Sequence, residues 1–249
     1  MPNSKSVAAI IPARWGSTRF PGKPLHLIAG KPLIRHVWER TLKAKSIGQV
    51  IIATDDMRIA EAAFEFGAEV AITSSKHRSG TDRIAEVAKK LKGISHVINV
   101  QGDEPLVDSA LLNRLTKTLL AHPKLGMITA ACEFASKEDV QNPNAVKVVL
   151  DRDGNALFFS RSPIPYTRDT SAAIPYLRHQ GLYGYSLDFL LQFVKWKPSR
   201  LEKVEQLEQL RALENGAKIR VLITKSASVG VDTPADAVAV ERMLGKRKL

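Results

Sequence analysis

Ile10-Ile11-Pro12-Ala13-Arg14-Trp15-Gly16-Ser17-Thr18-Arg19-Phe20-Pro21-Gly22-Lys23-Pro24-Leu25 runs out of an apolar segment into a basic loop that breaks both helical and strand periodicity. Residues 7–11 read as a short buried strand. The loop after it holds Gly16 and Gly22, where a backbone N–H can come close to a ligand, and three fixed cations, Arg14, Arg19 and Lys23. A polyphosphate is held by that pair of features, inward-pointing N–H groups and positive charge. A solvated basic connection between strand and helix is the plainer alternative.

Downstream the same strand–helix rhythm continues. Residues 32–45 carry a helical apolar stripe opened by Pro32, and 49–54 read as a second buried strand. A helix is expected over 56–66, closed by Gly67, then a strand over 69–73, a helix over 79–91 and a strand over 95–100. Alternation of this kind implies a parallel sheet with right-handed crossovers, whose ligands lie beyond the carboxyl ends of the strands. The later chain changes character. A helix over 108–121 and a strand over 127–134 precede a hairpin, 145–150 and 156–160, turned at Asp151-Arg152-Asp153-Gly154-Asn155. Residues 163–178 show no clear period and read as a loop or arm. Helices are expected over 187–196 and 201–214, a strand over 218–224 and a last helix over 234–244. The whole reads as one domain, 1–249, with an inserted β-rich sub-lobe over 133–182 that suits a dimer contact.

Length and composition fit that reading. The 249 residues suffice for one sizeable α/β domain, and 44% hydrophobic with 25% charged residues is ordinary for a globular chain. No apolar run approaches the roughly 20 residues of a membrane span, and the first residues lead straight into a strand, so a cytoplasmic location without membrane insertion is expected. The single cysteine, Cys132, lies in an apolar run and reads as a small buried residue rather than a reactive thiol. The formal net charge of +12 admits either a nucleic acid or a small anion as partner. Its placement favours the anion: Lys5, Arg14, Arg19, Lys23, Lys31, Arg35, Arg40, Lys43 and Lys45 precede Asp55 with only Glu39 opposing them. No basic strand rich in aromatics for stacking bases is present in the sequence, and no nucleic-acid partner is expected.

Further segments carry chemistry-bearing residues. In Gln101-Gly102-Asp103-Glu104-Pro105, Asp103 follows a strand end, where a metal carboxylate belongs; a helix-capping turn residue is the alternative. Gly230-Val231-Asp232-Thr233-Pro234 offers a second carboxylate, Asp232, beside a helix start that either Asp232 or Thr233 would cap. Spacing does not show whether the two carboxylates meet. Ser79-Gly80-Thr81-Asp82-Arg83 opens a helix whose N-terminus suits a base or a phosphate, or is simply capped by Ser79. Arg161 and Arg178-His179, with Tyr183 and Tyr185, suit an acidic sugar, arginine for a carboxylate and His or Tyr for hydroxyls; a buried, internally satisfied His179 is the plainer and more common alternative. Glu205, Glu208 and Gln209 read as the solvated face of a helix.

Taken in order, these motifs resemble the 3-deoxy-manno-octulosonate (Kdo) cytidylyltransferases along nearly the whole chain. The match covers the opening loop through Pro24, Ala53-Thr54-Asp55, Ser79 to Arg83, Asn99 to Pro105, Asn142 to Val149, Phe159-Ser160-Arg161-Ser162-Pro163, Arg178-His179, Tyr183-Gly184-Tyr185, Leu207-Glu208-Gln209-Leu210-Arg211 and Gly230 to Pro234. The resemblance implies a Rossmann-like α/β fold of the nucleotide-diphospho-sugar transferase type, its mixed, mostly parallel sheet flanked by helices, and a homodimer. It implies that Pro12, Ala13, Arg14, Arg19, Lys23, Ser79 and Gln101 bind the nucleotide CTP. Asp103 and Asp232 would hold Mg²⁺ and, with Lys23 and Arg19, serve catalysis. Arg83, Arg161, His179, Tyr183, Glu208 and Gln209 would surround Kdo, with Arg161 on its carboxylate. The implied reaction is attack of the anomeric hydroxyl of Kdo on the α-phosphorus of CTP, releasing pyrophosphate, for lipopolysaccharide biosynthesis. Trp15-Gly16 and the short arm between Arg168 and Arg178 depart from the family pattern. A cytidylyltransferase for another acidic sugar, sialic acid or 8-amino-Kdo, would share the loop and both aspartates; a basic nucleic-acid-binding module is the non-enzymatic alternative.

Overall fold

The computed structural model describes residues 6–16, 20–169, 171, 174–225 and 227–246. They form two compact units, Met1–Ala121 with Ser228–Leu249, and His122–Ala227.

The first unit is built on β1 (Val7–Ala13), whose Val7, Ala8, Ala9, Ile10 and Ile11 are completely buried. A parallel strand covered on both faces has no solvent side, so its sequence is a continuous apolar run rather than an alternation. A short 3₁₀ helix, Lys23–Leu25, leads to a two-stranded hairpin, β2 (Leu27–Ile28) and β3 (Lys31–Pro32), and then α1 (Leu33–Thr41). The hairpin, absent from the sequence reading, turns through Ala29 and Gly30, both with positive φ, as a tight two-residue turn requires. β4 (Gln49–Thr54), α2 (Met57–Glu65), β5 (Glu69–Ile72), α3 (Gly80–Lys90), β6 (His96–Asn99) and α4 (Ser109–Ala121) follow. The strands run parallel in the order β6–β1–β4–β5. Helix starts fall where the sequence marks them: Asp56 accepts the Arg58 N–H at 3.0 Å, and Ser79 the Asp82 N–H at 3.1 Å.

The second unit comprises β7 (Met127–Glu133), α5 (Lys137–Val140), β8 (Lys147–Leu150), β9 (Ala156–Ser160), β10 (Leu177–Ser186), α6 (Leu187–Phe193), α7 (Arg200–Glu205), α8 (Leu210–Glu214) and β11 (Ile219–Thr224). β7 pairs parallel with β11 and antiparallel with β10, β10 pairs antiparallel with β8, and β8 and β9 form an antiparallel hairpin. The chain then returns to the first unit as α9 (Pro234–Lys246). Cys132 is buried, and burial pushes its thiol up, away from reactive thiolate. Among the described residues no helix is long and apolar enough to cross a membrane.

Two expectations change. The ten-residue β10 occupies a stretch read as loop up to residue 178 and as isolated site residues beyond it. A bulge between Gln180 and Tyr183, with Gly181 and Gly184 nearby, breaks the period of two that marks a strand. The helix expected over 201–214 is in fact two, α7 and α8, separated at Gln206, which is left-handed at φ 52°. The carbonyls released by that break are caught by Arg161, whose Nε donates to Glu205 O at 2.6 Å and Nη2 to Gln206 O at 3.3 Å.

Candidate active site

β1 ends in the first unit's cavity, delivering Pro12, Ala13 and Arg14 to it. The chain comes back at Gly22, whose φ of 70° is natural only for glycine, and turns into the 3₁₀ helix that begins with Lys23. The Lys23 ammonium donates to Asp103 Oδ2 at 2.7 Å and to the Val231 carbonyl at 2.8 Å, and stands 3.5 Å from Asp232 Oδ1. Two carboxylates far apart in sequence thus meet at one cation. The Val231 N–H donates to the Asp103 carbonyl at 2.8 Å, pinning the segment before α9 against the loop after β6. Capping of α9 falls to Thr233, whose hydroxyl accepts the Asp236 N–H at 3.3 Å, and to Asp236, which accepts the Asp232 and Thr233 N–H groups. The Asp232 carboxylate faces the Lys23 ammonium.

Close backbone approach shapes the same floor. A Cβ on Gly102 would lie 2.7 Å from the Pro12 carbonyl oxygen, so only glycine lets the β1 end and the loop after β6 come together. The resulting cavity, about 290 Å³, is lined by Pro12, Ala13, Arg14, Lys23, Ser79, Arg83, Gln101, Asp103 and Asp232 among others. All described residues expected to bind the nucleotide or the metal meet here; Arg19 lies outside the described residues. Sequence reading missed two of the lining residues, His77 and Arg78. Their signal was the Lys76-His77-Arg78 run just ahead of the α3 cap. Glu86 organises that loop: it accepts the Ser74 N–H at 3.0 Å and pairs with His77 Nε2 at 2.6 Å and Lys90 Nζ at 2.7 Å. Those bonds, Lys90's first, bring the Glu86 carboxyl down to about 2.

Arg83, expected beside the sugar, is a wall of this cavity, 4% exposed, its guanidinium 3.0 Å from Asp55 Oδ1 and hydrogen-bonded to the Thr73 hydroxyl. A buried arginine so paired orders β4, β5 and α3 around the pocket.

The other five expected sugar residues belong to the second unit. β10 carries His179 and Tyr183, whose rings lie 5.4 Å apart, and His179 meets the Phe159 ring edge-on at 4.9 Å. The Thr129 hydroxyl lies 2.8 Å from the Leu182 carbonyl and 3.0 Å from His179 Nε2. Its one proton goes to a carbonyl, so its oxygen accepts from Nε2–H, and the neutral imidazole keeps its acceptor lone pair on Nδ1. Enclosure of the ring brings His179 down to about 3. Burial, with the Glu208 charge next, holds the Tyr183 phenol well above its usual range. Gln209 is 4% exposed, and its buried amide nitrogen has no hydrogen-bond partner among the described residues. Such a donor lacks only an acceptor.

Arg161 is more committed than expected. Nε, Nη1 and Nη2 each donate to a main-chain carbonyl, of Glu205, Pro143 and Gln206, leaving two of its five N–H groups for another acceptor. Glu205 is not a solvated face residue: it accepts the Ser160 hydroxyl at 2.6 Å and the Arg161 N–H at 2.9 Å. Beneath both, fully buried Lys147 donates to the Arg161 carbonyl at 2.6 Å and the Asn142 carbonyl at 2.9 Å. Burial lowers its ammonium pKa, with the Arg161 charge next.

Residues 8–219 match the family model described as cytidylyltransferase. A 3-deoxy-manno-octulosonate cytidylyltransferase of Geobacter sulfurreducens is 48% identical over 253 residues, covering 98% of this chain and 100% of the relative. One of the same name from Syntrophobacter fumaroxidans is 50% identical over 243 residues, covering 96% and 97%. The chain belongs to the 3-deoxy-manno-octulosonate cytidylyltransferase family. It is thereby a nucleotidyltransferase. The solved structure of a CMP:2-keto-3-deoxy-manno-octonic acid synthetase complexed with CTP superposes with a TM-score of 0.93 at 40% identity, covering 97% of this chain and 99% of that one. That similarity fixes the fold as the mixed, mostly parallel α/β sheet flanked by helices. A 4-diphosphocytidyl-2C-methyl-D-erythritol synthase from Anaerococcus prevotii shares the fold at a TM-score of 0.64 and 14% identity.

Proposed function

We propose that the chain transfers the cytidylyl group of CTP to the anomeric hydroxyl of Kdo, giving CMP-Kdo for lipopolysaccharide biosynthesis and pyrophosphate. The observation that carries this reading is the meeting of Asp103, Asp232 and Lys23 at the cavity built by the basic loop. Lys23 and Arg14 would grip the phosphates, with Arg19 as a third cation of the same loop. Ser79 and Gln101 supply polar groups, and Pro12 and Ala13 a flat apolar wall, for the nucleoside. Lys23 would exchange a carboxylate for phosphate oxygens as the nucleotide binds, which would free Asp103 and Asp232 to hold a divalent ion.

The donor set fits Mg²⁺. That ion takes one or two protein carboxylates and completes its shell with phosphate oxygens and water. Both carboxylates already converge on a cation, and among the described residues no cluster of three or more His, Cys, Asp or Glu suggests a different metal centre. When bound, Mg²⁺ would neutralise the charge that grows on the α-phosphate and on the departing pyrophosphate. The chain's own share is alignment and charge: Lys23 and the loop cations hold the leaving group, worth about 10²–10³ in rate for a single well-placed donor.

For the sugar, the second unit supplies Gln209's unpaired amide donor, the two uncommitted N–H groups of Arg161 for a carboxylate, Tyr183 and Glu208 for hydroxyls, and the Nδ1 lone pair of His179 as an acceptor. A homodimer contacting through the 133–182 region and a cytoplasmic location complete the reading. The test is pyrophosphate release with CTP, UTP or ATP against Kdo, sialic acid and 8-amino-Kdo, with and without Mg²⁺. Turnover confined to CTP, Kdo and Mg²⁺ together is the expected result. Preference for another sugar reassigns the substrate, and Kdo-independent pyrophosphate release overturns the transfer.

A further inference from the structure

Trp15 follows Arg14 and closes on Gly22, the residue before Lys23, so the two pocket cations flank one side-chain contact. The Gly22 N–H donates to the Trp15 carbonyl at 3.2 Å, tying the two ends of the loop. The indole lies against the same glycine: a Cβ built there would stand 3.1 Å from ring atoms Cη2 and Cζ2. The ring is held in turn by Arg58 on α2, whose guanidinium carbon sits 3.5 Å from the ring centroid. Arg58 does not swing freely, because its Nε and Nη2 grip the two Asp56 oxygens at 2.9 and 2.6 Å, and Asp56 is itself the α2 cap. A continuous chain of contacts thus runs Asp56, Arg58, Trp15, Gly22, Lys23, from a rigid helix start to the ammonium that meets both carboxylates.

We propose that Trp15 is a positioning residue for the phosphate loop: clamped by Arg58 and packed on Gly22, it fixes the loop ends so that Arg14 and Lys23 face the nucleotide with their geometry set in advance. This deepens the nucleotide-binding reading above and rests on it. Preorganisation matters because an ammonium or guanidinium placed beforehand loses less freedom when phosphate binds. An aromatic ring is needed, since a guanidinium is attracted to a π face and the Gly22 backbone needs a flat partner. Phenylalanine keeps the π face for Arg58 and an aromatic ring beside Gly22, and alanine keeps neither.

Kinetics of W15A, W15F, R58Q and the W15A/R58Q double variant test it, together with the wild-type-minus-W15F emission spectrum, which isolates the indole at position 15. W15A is expected to raise the KM for CTP by about tenfold while leaving the KM for Kdo within about twofold, with W15F restoring most of the loss. R58Q should red-shift the isolated emission and weaken CTP, and the double variant should be no worse than W15A alone, because both act through one contact. CTP binding read directly by the emission change separates this proposal from the assignment of Kdo: binding is measured whether or not transfer follows. The proposal is overturned if W15A changes only the melting temperature, if losses in W15A and R58Q simply add, or if the KM for Kdo shifts as much as that for CTP.

Discussion

At the scale of single residues, the opening loop is legible because its chemistry is local. Arg14 and Lys23 reach the pocket by virtue of a strand end and a left-handed glycine, both visible in the sequence. The meeting of Asp103 with Asp232 is not local. It depends on the Val231 N–H finding the Asp103 carbonyl, a backbone contact that leaves no side-chain signature. Arg161 and Glu205 show a related limit: both read as ligand or surface residues, whereas main-chain carbonyls and a serine claim most of their bonding. His179 carries a pH consequence. Its folded pKa of about 3 lies below the ordinary histidine value of about 6.5, so between those values the unfolded chain takes up a proton that the folded chain refuses. Stability is therefore complete above about 6.5 and falls as the pH drops through this window. Glu86, at about 2 in the fold, removes stability only below its ordinary value of 4.5. Thermal melting from pH 7 to pH 5 should accordingly show a shallower loss in H179Q than in the wild type. An identical slope in both would mean that the imidazole titrates normally.

At the scale of elements, the parallel strands and their helices follow from apolar runs punctuated by caps. Asp56 and Ser79 sit where the side chains predict, because a cap depends on three or four neighbouring residues. β10 escaped because its bulge and glycines obscure a strand that is nonetheless hydrogen-bonded to two others. The helix over 201–214 was misjudged for the opposite reason: its apolar period persists through a break that only Gln206's backbone reveals. That break leaves Glu208 and Gln209 in the connection before α8 rather than on a helix face. A left-handed non-glycine residue costs about 1–2 kcal/mol, partly returned when a glycine's greater freedom in the unfolded chain is counted. Gln206→Gly should therefore raise stability by about 0.5–1 kcal/mol in urea unfolding. A loss of stability would show that Gln206 is held by its side chain and not tolerated despite it.

At the scale of the whole molecule, a net charge of +12 sets a field that draws in a tetra-anionic nucleotide before any contact forms. Screening shortens that reach to about 8–10 Å at physiological salt. The specificity constant kcat/KM for CTP should fall several-fold as ionic strength rises from about 0.01 M to about 0.15 M, chiefly through KM. An unchanged value would confine the basic residues to local pairing. Composition alone left an anionic small molecule and a nucleic acid open; the clustering of cations ahead of Asp55 pointed to the former, and the cavity lined by Arg14, Lys23 and Arg78 gives that excess a place to act.

Everything proposed for the chemistry requires Asp103 and Asp232 to act as one unit on one ion. Mn²⁺ binding in the presence of CTP, followed by electron paramagnetic resonance in D103N, D232N and the double variant, measures this directly. Each single change is expected to abolish most of the tight binding, about a hundredfold in Kd, and the second to add little. If either variant binds Mn²⁺ with CTP as the wild type does, or if the two losses add in full, the carboxylates do not share a metal and the assignment fails.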